Sequence, residues 1–207
     1  MKNITRISVS LFVLLISALA QMPSPPQFSA DMTMTSPRQH EQMAGKMFFD
    51  KGKMRMDMNT HGQNMSMISD SATQTSYMIM HAQRMYMEIH GTRSPMGRGP
   101  QMPDVKQFSE NPCASEKNTT CRKVGTETVN GRVCDKWEFT STNASENRTA
   151  WIDQKTHIPI KTVNADGTTM EFTNFKEGPQ DASHFEVPAG YQKMDMGMMG
   201  GRRPGGD

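Results

Sequence analysis

Between Lys46 and Ile89, methionine stands at every second position in run after run: Met54-Arg-Met-Asp-Met58, Met65-Ser-Met67, Met78-Ile-Met80 and Met85-Tyr-Met87. A period of two puts side chains on one face of a strand, whereas a helix face needs 3.6. The pattern also sets a register. With Lys51-Gly52 as a two-residue turn, Asp50 stands opposite Lys53, Phe49 opposite Met54, Met47 opposite Met56 and Lys46 opposite Asp57. Met47, Phe49, Met54, Met56 and Met58 then share one face. Lys46, Phe48, Arg55 and Asp57 share the other, with Lys46 and Asp57 placed as a cross-strand ion pair. The next hairpin repeats the device. Met80 stands opposite Met85 and Met78 opposite Met87, with Tyr77, Ile79, Tyr86 and Glu88 on the far side. The expectation is a meander with one continuous thioether-rich face.

Residues 1–20 read as a secretory signal peptide: Lys2 and Arg6 precede an apolar run, and Ala18-Leu19-Ala20 fits the small-x-small cleavage pattern. The run is too short to span a bilayer, and no transmembrane segment is expected after cleavage. The mature chain is expected in the periplasm or outside the cell. Removing Lys2 and Arg6 from 23 basic residues leaves 21, against 21 acidic ones. A balanced chain without a basic run gives no argument for nucleic acid. Every Leu lies in the leader, while all but one of the 22 Met lie after it. Met and Leu exchange mildly in cores, so much of the methionine is expected to fill the places of leucine.

The rest of the chain continues in strands. Residues 21–27 form a Pro-rich lead-in. Phe28–Ser36 alternates, with Phe28, Ala30, Met32 and Met34 on one face. Gly91 to Met102 breaks the pattern, and Asp104 to Glu110 is spaced for one short helix. Asn130-Gly131 marks a hairpin. It sets Val129 opposite Arg132, Val124 opposite Trp137 and Lys123 opposite Glu138, with Val133, Trp137 and Phe139 inward and Cys134 on the polar face. Strands follow at Arg148 to Asp153, Pro159 to Val163 and Thr168 to Lys176. Phe185, Val187 and Tyr191 are placed to pin a terminal segment. Residues 194–207 read as a disordered Met-, Gly- and Arg-rich tail. About ten or eleven short strands over residues 28–193 predict a mainly β domain, a strongly curved antiparallel sheet or half-open barrel.

Gly125-Thr-Glu-Thr-Val-Asn-Gly-Arg-Val-Cys-Asp-Lys-Trp137, Trp151-Ile-Asp153 with Pro159-Ile-Lys161, Phe185-Glu-Val-Pro-Ala-Gly-Tyr191 and Gly52-Lys-Met-Arg-Met-Asp57 together resemble the secreted bacterial family called domain of unknown function 4412. These motifs are structural, not catalytic. More loosely, the strand pattern is similar to periplasmic lipoprotein carriers of the LolA/LolB type. That resemblance implies a half-open antiparallel barrel with a helical lid that holds acyl chains.

No chemical motif stands out. The six His lack ligand spacing, and there is no His-Glu-x-x-His, Gly-x-Ser-x-Gly or Cys-x-x-Cys. The chain is not expected to be an enzyme, and no cofactor is implied. Of the three Cys, Cys121 and Cys134 lie too far apart along their hairpin to bridge. Cys113 therefore pairs with either, and the short loop favours Cys121. The expected function is a carrier or sensor that holds an apolar small molecule or lipid against Met47, Phe49, Met54, Met56, Met58, Met78, Met80, Met85 and Met87. A second expectation is Cu(I) binding by thioethers, at Met54, Met56 and Met58 or at Met194, Met196, Met198 and Met199 in the tail. A third is a structural or interaction module with no ligand.

Overall fold

The computed structural model describes residues 26–37, 41–60, 62–91, 112–113, 116 and 118–194. Its strands are β1 (Phe28–Ser36), β2 (Glu41–Asp50), β3 (Lys53–Thr60), β4 (Gln63–Asp70), β5 (Thr75–Met80), β6 (Met85–His90), β7 (Thr119–Val129), β8 (Arg132–Ser141), β9 (Arg148–Asp153), β10 (Pro159–Asn164), β11 (Thr169–Glu177) and β12 (Gln192–Lys193). All twelve join one open, curved sheet in the order β12-β6-β5-β4-β3-β2-β1-β11-β10-β9-β8-β7. Neighbours are antiparallel except β12, which runs parallel to β6. The count exceeds the sequence expectation by the two-residue β12, too short to show a period. The helix expected at Asp104 to Glu110, residues 1–25 and the tail from residue 195 lie outside the described residues. The helical turns observed are short 3-10 turns at Ala144–Glu146 and Ala182–Phe185.

The meander has the register its alternation implies. Phe49 pairs with Met54, Met47 with Met56 and Lys46 with Asp57. Met80 pairs with Met85 and Met78 with Met87. One ladder row therefore runs Met47–Met56–Met67–Met78–Met87 across five strands. The Lys51-Gly52 turn has positive φ at both residues, as the right-handed twist of a two-residue hairpin demands. Lys46 contacts Asp31 on β1, while Asp57 accepts from Arg55. Gly45 has a separate role. A Cβ there would stand 2.4 Å from the Asp57 carbonyl oxygen, so β2 and β3 approach more closely than any side chain allows.

β1 joins the two ends of the sequence, pairing with β2 on one side and β11 on the other. A bulge in β11, where Asn174 has φ +50°, inserts one residue opposite β1. The extra residue brings Phe175 to the face that carries Phe172, and the Phe175 ring stacks on Phe28 at 4.7 Å. The main core forms there, from Phe28, Ala30, Met32, Met47, Phe49, Met54, Met56, Phe172, Ile158 and Ile160.

Four expectations for the β7–β8 hairpin need correction, two of register and two of facing. Lys123, not Val124, pairs with Trp137, because Val124 sits in a bulge between Lys123 and Gly125. Arg122 then takes the place opposite Glu138. Val133 is half exposed, and Cys134 is wholly buried in the main core. The reason for the burial is long-range. The hairpin tip reaches across to β11, where Asn130 donates to the Phe172 carbonyl and Arg132 pairs with Glu177, while Arg132 also pairs with Asp153 of β9. Strand parity alone cannot anticipate such a fold-over.

The other face of the meander is closed by the C-terminal segment. Phe185, Val187 and Tyr191 pack with Ile68, Ile79, Phe48, Tyr77 and Tyr86. Asp50 anchors the segment by accepting from the Gln180 N–H, and it also accepts from Gln27.

Candidate functional site

The inner face of the curl holds a cavity of about 210 Å³. Four strands bring seven thioethers to it: Met32 and Met34 from β1, Met43 and Met47 from β2, Met56 and Met58 from β3, and Met170 from β11. The register explains the convergence. Met34 is flanked by Met43 on β2 and by Met170 on β11, and Met47 by Met56. The facing wall is Phe139 of β8, Arg148, Ala150 and Ile152 of β9, and Pro159 and Thr162 of β10. Thr162 pairs with both Ala150 and Met170, so the two walls belong to one continuous ladder.

Of the residues singled out by the alternation, Met47, Met56 and Met58 line this cavity. Phe49 and Met54 lie in the main core beneath it. Met78 and Met87 are buried, and Met80 and Met85 partly so, and none of these four lines the cavity. Met194 is partly buried, while Met196, Met198 and Met199 lie outside the described residues. Alternation marks only Phe139 of the β8–β10 wall as inward. The wall's inward residues are spread among polar neighbours with no repeated type, so periodicity gave little signal. Met170 stood in an anticipated strand without a second Met beside it.

The cavity's edge is polar. Arg148 donates to Glu116 and lies with its guanidinium carbon 4.2 Å from the Phe139 ring centroid. Glu116 comes from the loop that the Cys113–Cys121 disulfide closes, where its own N–H donates to the Cys113 carbonyl. The disulfide thus sets a carboxylate beside Arg148, and Pro112, next to Cys113 just outside that loop, reaches the cavity wall. A disulfide fits an oxidising, extracytoplasmic compartment. Cys134 is the free thiol, and burial pushes it up to about 11, so it stays protonated and unreactive at neutral pH.

A second, more open groove of about 480 Å³ lies beside Lys46, Arg55, Asp57, Ser66 and His81. Ser66 Oγ is 2.7 Å from His81 Nε2, a pair that sequence spacing did not reveal. Proton counting settles its role. The Asp57 carboxylate can only accept, so Ser66 gives its single proton to Asp57 at 2.5 Å. His81 Nε2 must then carry a proton and donate to Ser66. Its Nδ1 lies 2.8 Å from the Tyr191 hydroxyl. With its proton directed at serine, Nε2 offers no lone pair to act there as a general base. Arg55 donates to Ser66 and to the His184 carbonyl. The network brackets the C-terminal segment to the meander. Among the described residues no group of three His, Cys, Asp or Glu is placed to hold a metal ion, and no helix is long and apolar enough to cross a membrane.

Residues 28–156 match the family model described as Domain of unknown function (DUF4412). No curated protein matches the chain. Among solved structures, an uncharacterized conserved protein from Thermus thermophilus aligns at TM-score 0.57 and 10% identity, covering 82% of this chain and 90% of that one. The Pseudomonas aeruginosa MucA/MucB complex aligns at TM-score 0.52 and 16% identity, covering 80% of this chain and 57% of the matched one. This chain therefore spans little over half of that protein. A Vibrio parahaemolyticus domain described as outer membrane lipoprotein-sorting aligns at TM-score 0.36 and 14% identity, over 77% of this chain and 89% of that one. The first two likenesses, at these identities, concern the fold alone. The family match covers well over half of the sequence, and the chain belongs to the DUF4412 family.

Proposed function

We propose that this DUF4412 chain is a non-enzymatic binding protein of the periplasm or extracellular space that takes an apolar ligand, an alkyl or acyl chain, into the methionine-lined cavity. The observation that carries the reading is the cavity: seven thioethers from four strands around about 210 Å³. A cavity of roughly 150 Å³ suffices for benzene, so this one suits a short alkyl chain or the end of a longer one. It is smaller than the roughly 300 Å³ at which drug-sized sites begin. Methionine side chains turn about several bonds and repack around different apolar shapes. The second groove supports the non-enzymatic part, since its serine faces a protonated imidazole nitrogen.

The same seven thioethers support a second reading, Cu(I) binding, because soft sulfur ligands select that ion. The separating experiment is native mass spectrometry of the mature protein isolated from its own envelope. A co-purifying lipid or fatty acid supports the leading reading. A copper adduct, retained under reducing conditions, supports the second. Bare protein that also fails to take up added alkyl ligand contradicts the first.

A further inference from the structure

We infer that the cavity selects amphiphiles with a carboxylate head, with Arg148 anchoring the head and Glu116 standing in for it when the site is empty. This rests on reading the cavity as an apolar-ligand site. Among the described residues that line it, two carry charge, and they are paired with each other. The remaining wall is thioether, methyl and ring, apart from the Thr162 hydroxyl. A charged pair at the rim of an apolar hole is not a packing requirement, because apolar residues of similar volume often replace such pairs without loss. It does give a ligand something to recognise.

The two partners are held differently. Arg148 is part of the sheet, at the start of β9, with Phe139 and Asn164 as its register partners. Stacking on Phe139 steadies the guanidinium and leaves a fork of N–H donors that matches two carboxylate oxygens. Glu116 lies between Cys113 and Cys121 and is not itself in a strand, so it can withdraw without breaking a ladder. Ligand entry is then an exchange. The incoming carboxylate replaces that of Glu116 on Arg148, Glu116 turns to water, and the alkyl chain enters among Met34, Met43, Met58 and Met170. Arg148 stays paired throughout, which avoids stranding a partly buried charge. A neutral head has nothing to displace Glu116 with, and a cationic head meets Arg148 as a like charge.

The test uses the mature protein and isothermal titration with octanoate, 1-octanol, octyl phosphate and octylammonium. Wild type is expected to bind octanoate more tightly than the other three. Arg148→Gln should lose about tenfold in octanoate affinity, the scale of one charge-assisted hydrogen bond, and lose much less for 1-octanol. Glu116→Gln should gain several-fold for octanoate and gain less for 1-octanol, and it carries the test alone if Arg148→Gln fails to fold. The inference is overturned if octanoate has no advantage over 1-octanol, if Arg148→Gln weakens both equally, or if octyl phosphate binds more tightly than octanoate. Binding of none of the four by wild type or Glu116→Gln would instead remove the apolar-ligand reading beneath it.

Discussion

The two faces of the β2–β6 meander come from the same residues read alternately, yet they are held by different forces. The inner face is a field of thioethers, Met47–Met56–Met67–Met78–Met87, whose contacts are numerous, weak and without direction. The outer face is directional. Tyr191, His81, Ser66, Asp57 and Arg55 form one hydrogen-bond chain, the Phe48 ring stacks on His184 at 4.1 Å, and Phe185 fills the space over Ile68 and Ile79. A face of the first kind tolerates changes of shape. A face of the second kind has one good arrangement. One sheet thus separates adaptability from rigidity by side-chain parity, and the terminal segment clamps the rigid side so that the other is free to vary.

The contrast shows most in unequal responses to substitution. Phe185→Ala on the outer side should cost about 3–5 kcal/mol in urea denaturation, the usual loss for a buried ring. Met56→Leu on the inner side should cost under about 1.5 kcal/mol, being nearly volume-conserving. Equal losses would mean that the two faces are held alike. Next in size is the disulfide. Replacing Cys113 and Cys121 with Ser should cost about 2–3 kcal/mol for a loop this short. It should also release Glu116 from the cavity edge, so octanoate affinity and stability would change in opposite directions.

Acid should loosen the clamp. Burial alone would raise the Asp50 carboxyl, but the Gln180 N–H, the Gln27 amide and Lys51 outweigh it and hold the group below its ordinary value. Asp153 is likewise raised by burial and lowered further by Arg132 and Thr156. A carboxylate depressed in the folded state stabilises it above the unfolded value of about 3.9, and this is lost as pH falls through the folded value. Urea midpoints should therefore drop below about pH 4, and Asp50→Asn should flatten part of that drop. The smallest effect belongs to Tyr191→Phe, which removes one hydrogen bond and should cost about 1 kcal/mol, with ligand binding unchanged.

Local order was legible in the residues, and long-range order was not. Alternation and the Lys51-Gly52 and Asn130-Gly131 turns gave the hairpin registers, because both signals act within a few residues. The β1–β11 pairing joins segments far apart in sequence, and no period in either strand names its partner. The burial of Cys134 and the shift at Val124 follow from that closure and from a bulge, neither of which a strict period of two can express. The site divided in the same way. Its methionine half was visible as a repeat, while Arg148 and Glu116 are single charges 32 residues apart that acquire meaning only when the sheet curls.

Whether the inner thioethers bound a cavity able to take an apolar chain is read out by ¹³C-methyl methionine NMR of the mature protein titrated with 1-octanol. If they do, saturable shifts are confined to the methyls of Met32, Met34, Met43, Met47, Met56, Met58 and Met170, with Met80 and Met85 unmoved. Shifts spread evenly over all methionines, or no shift at the cavity seven, would mean that they do not.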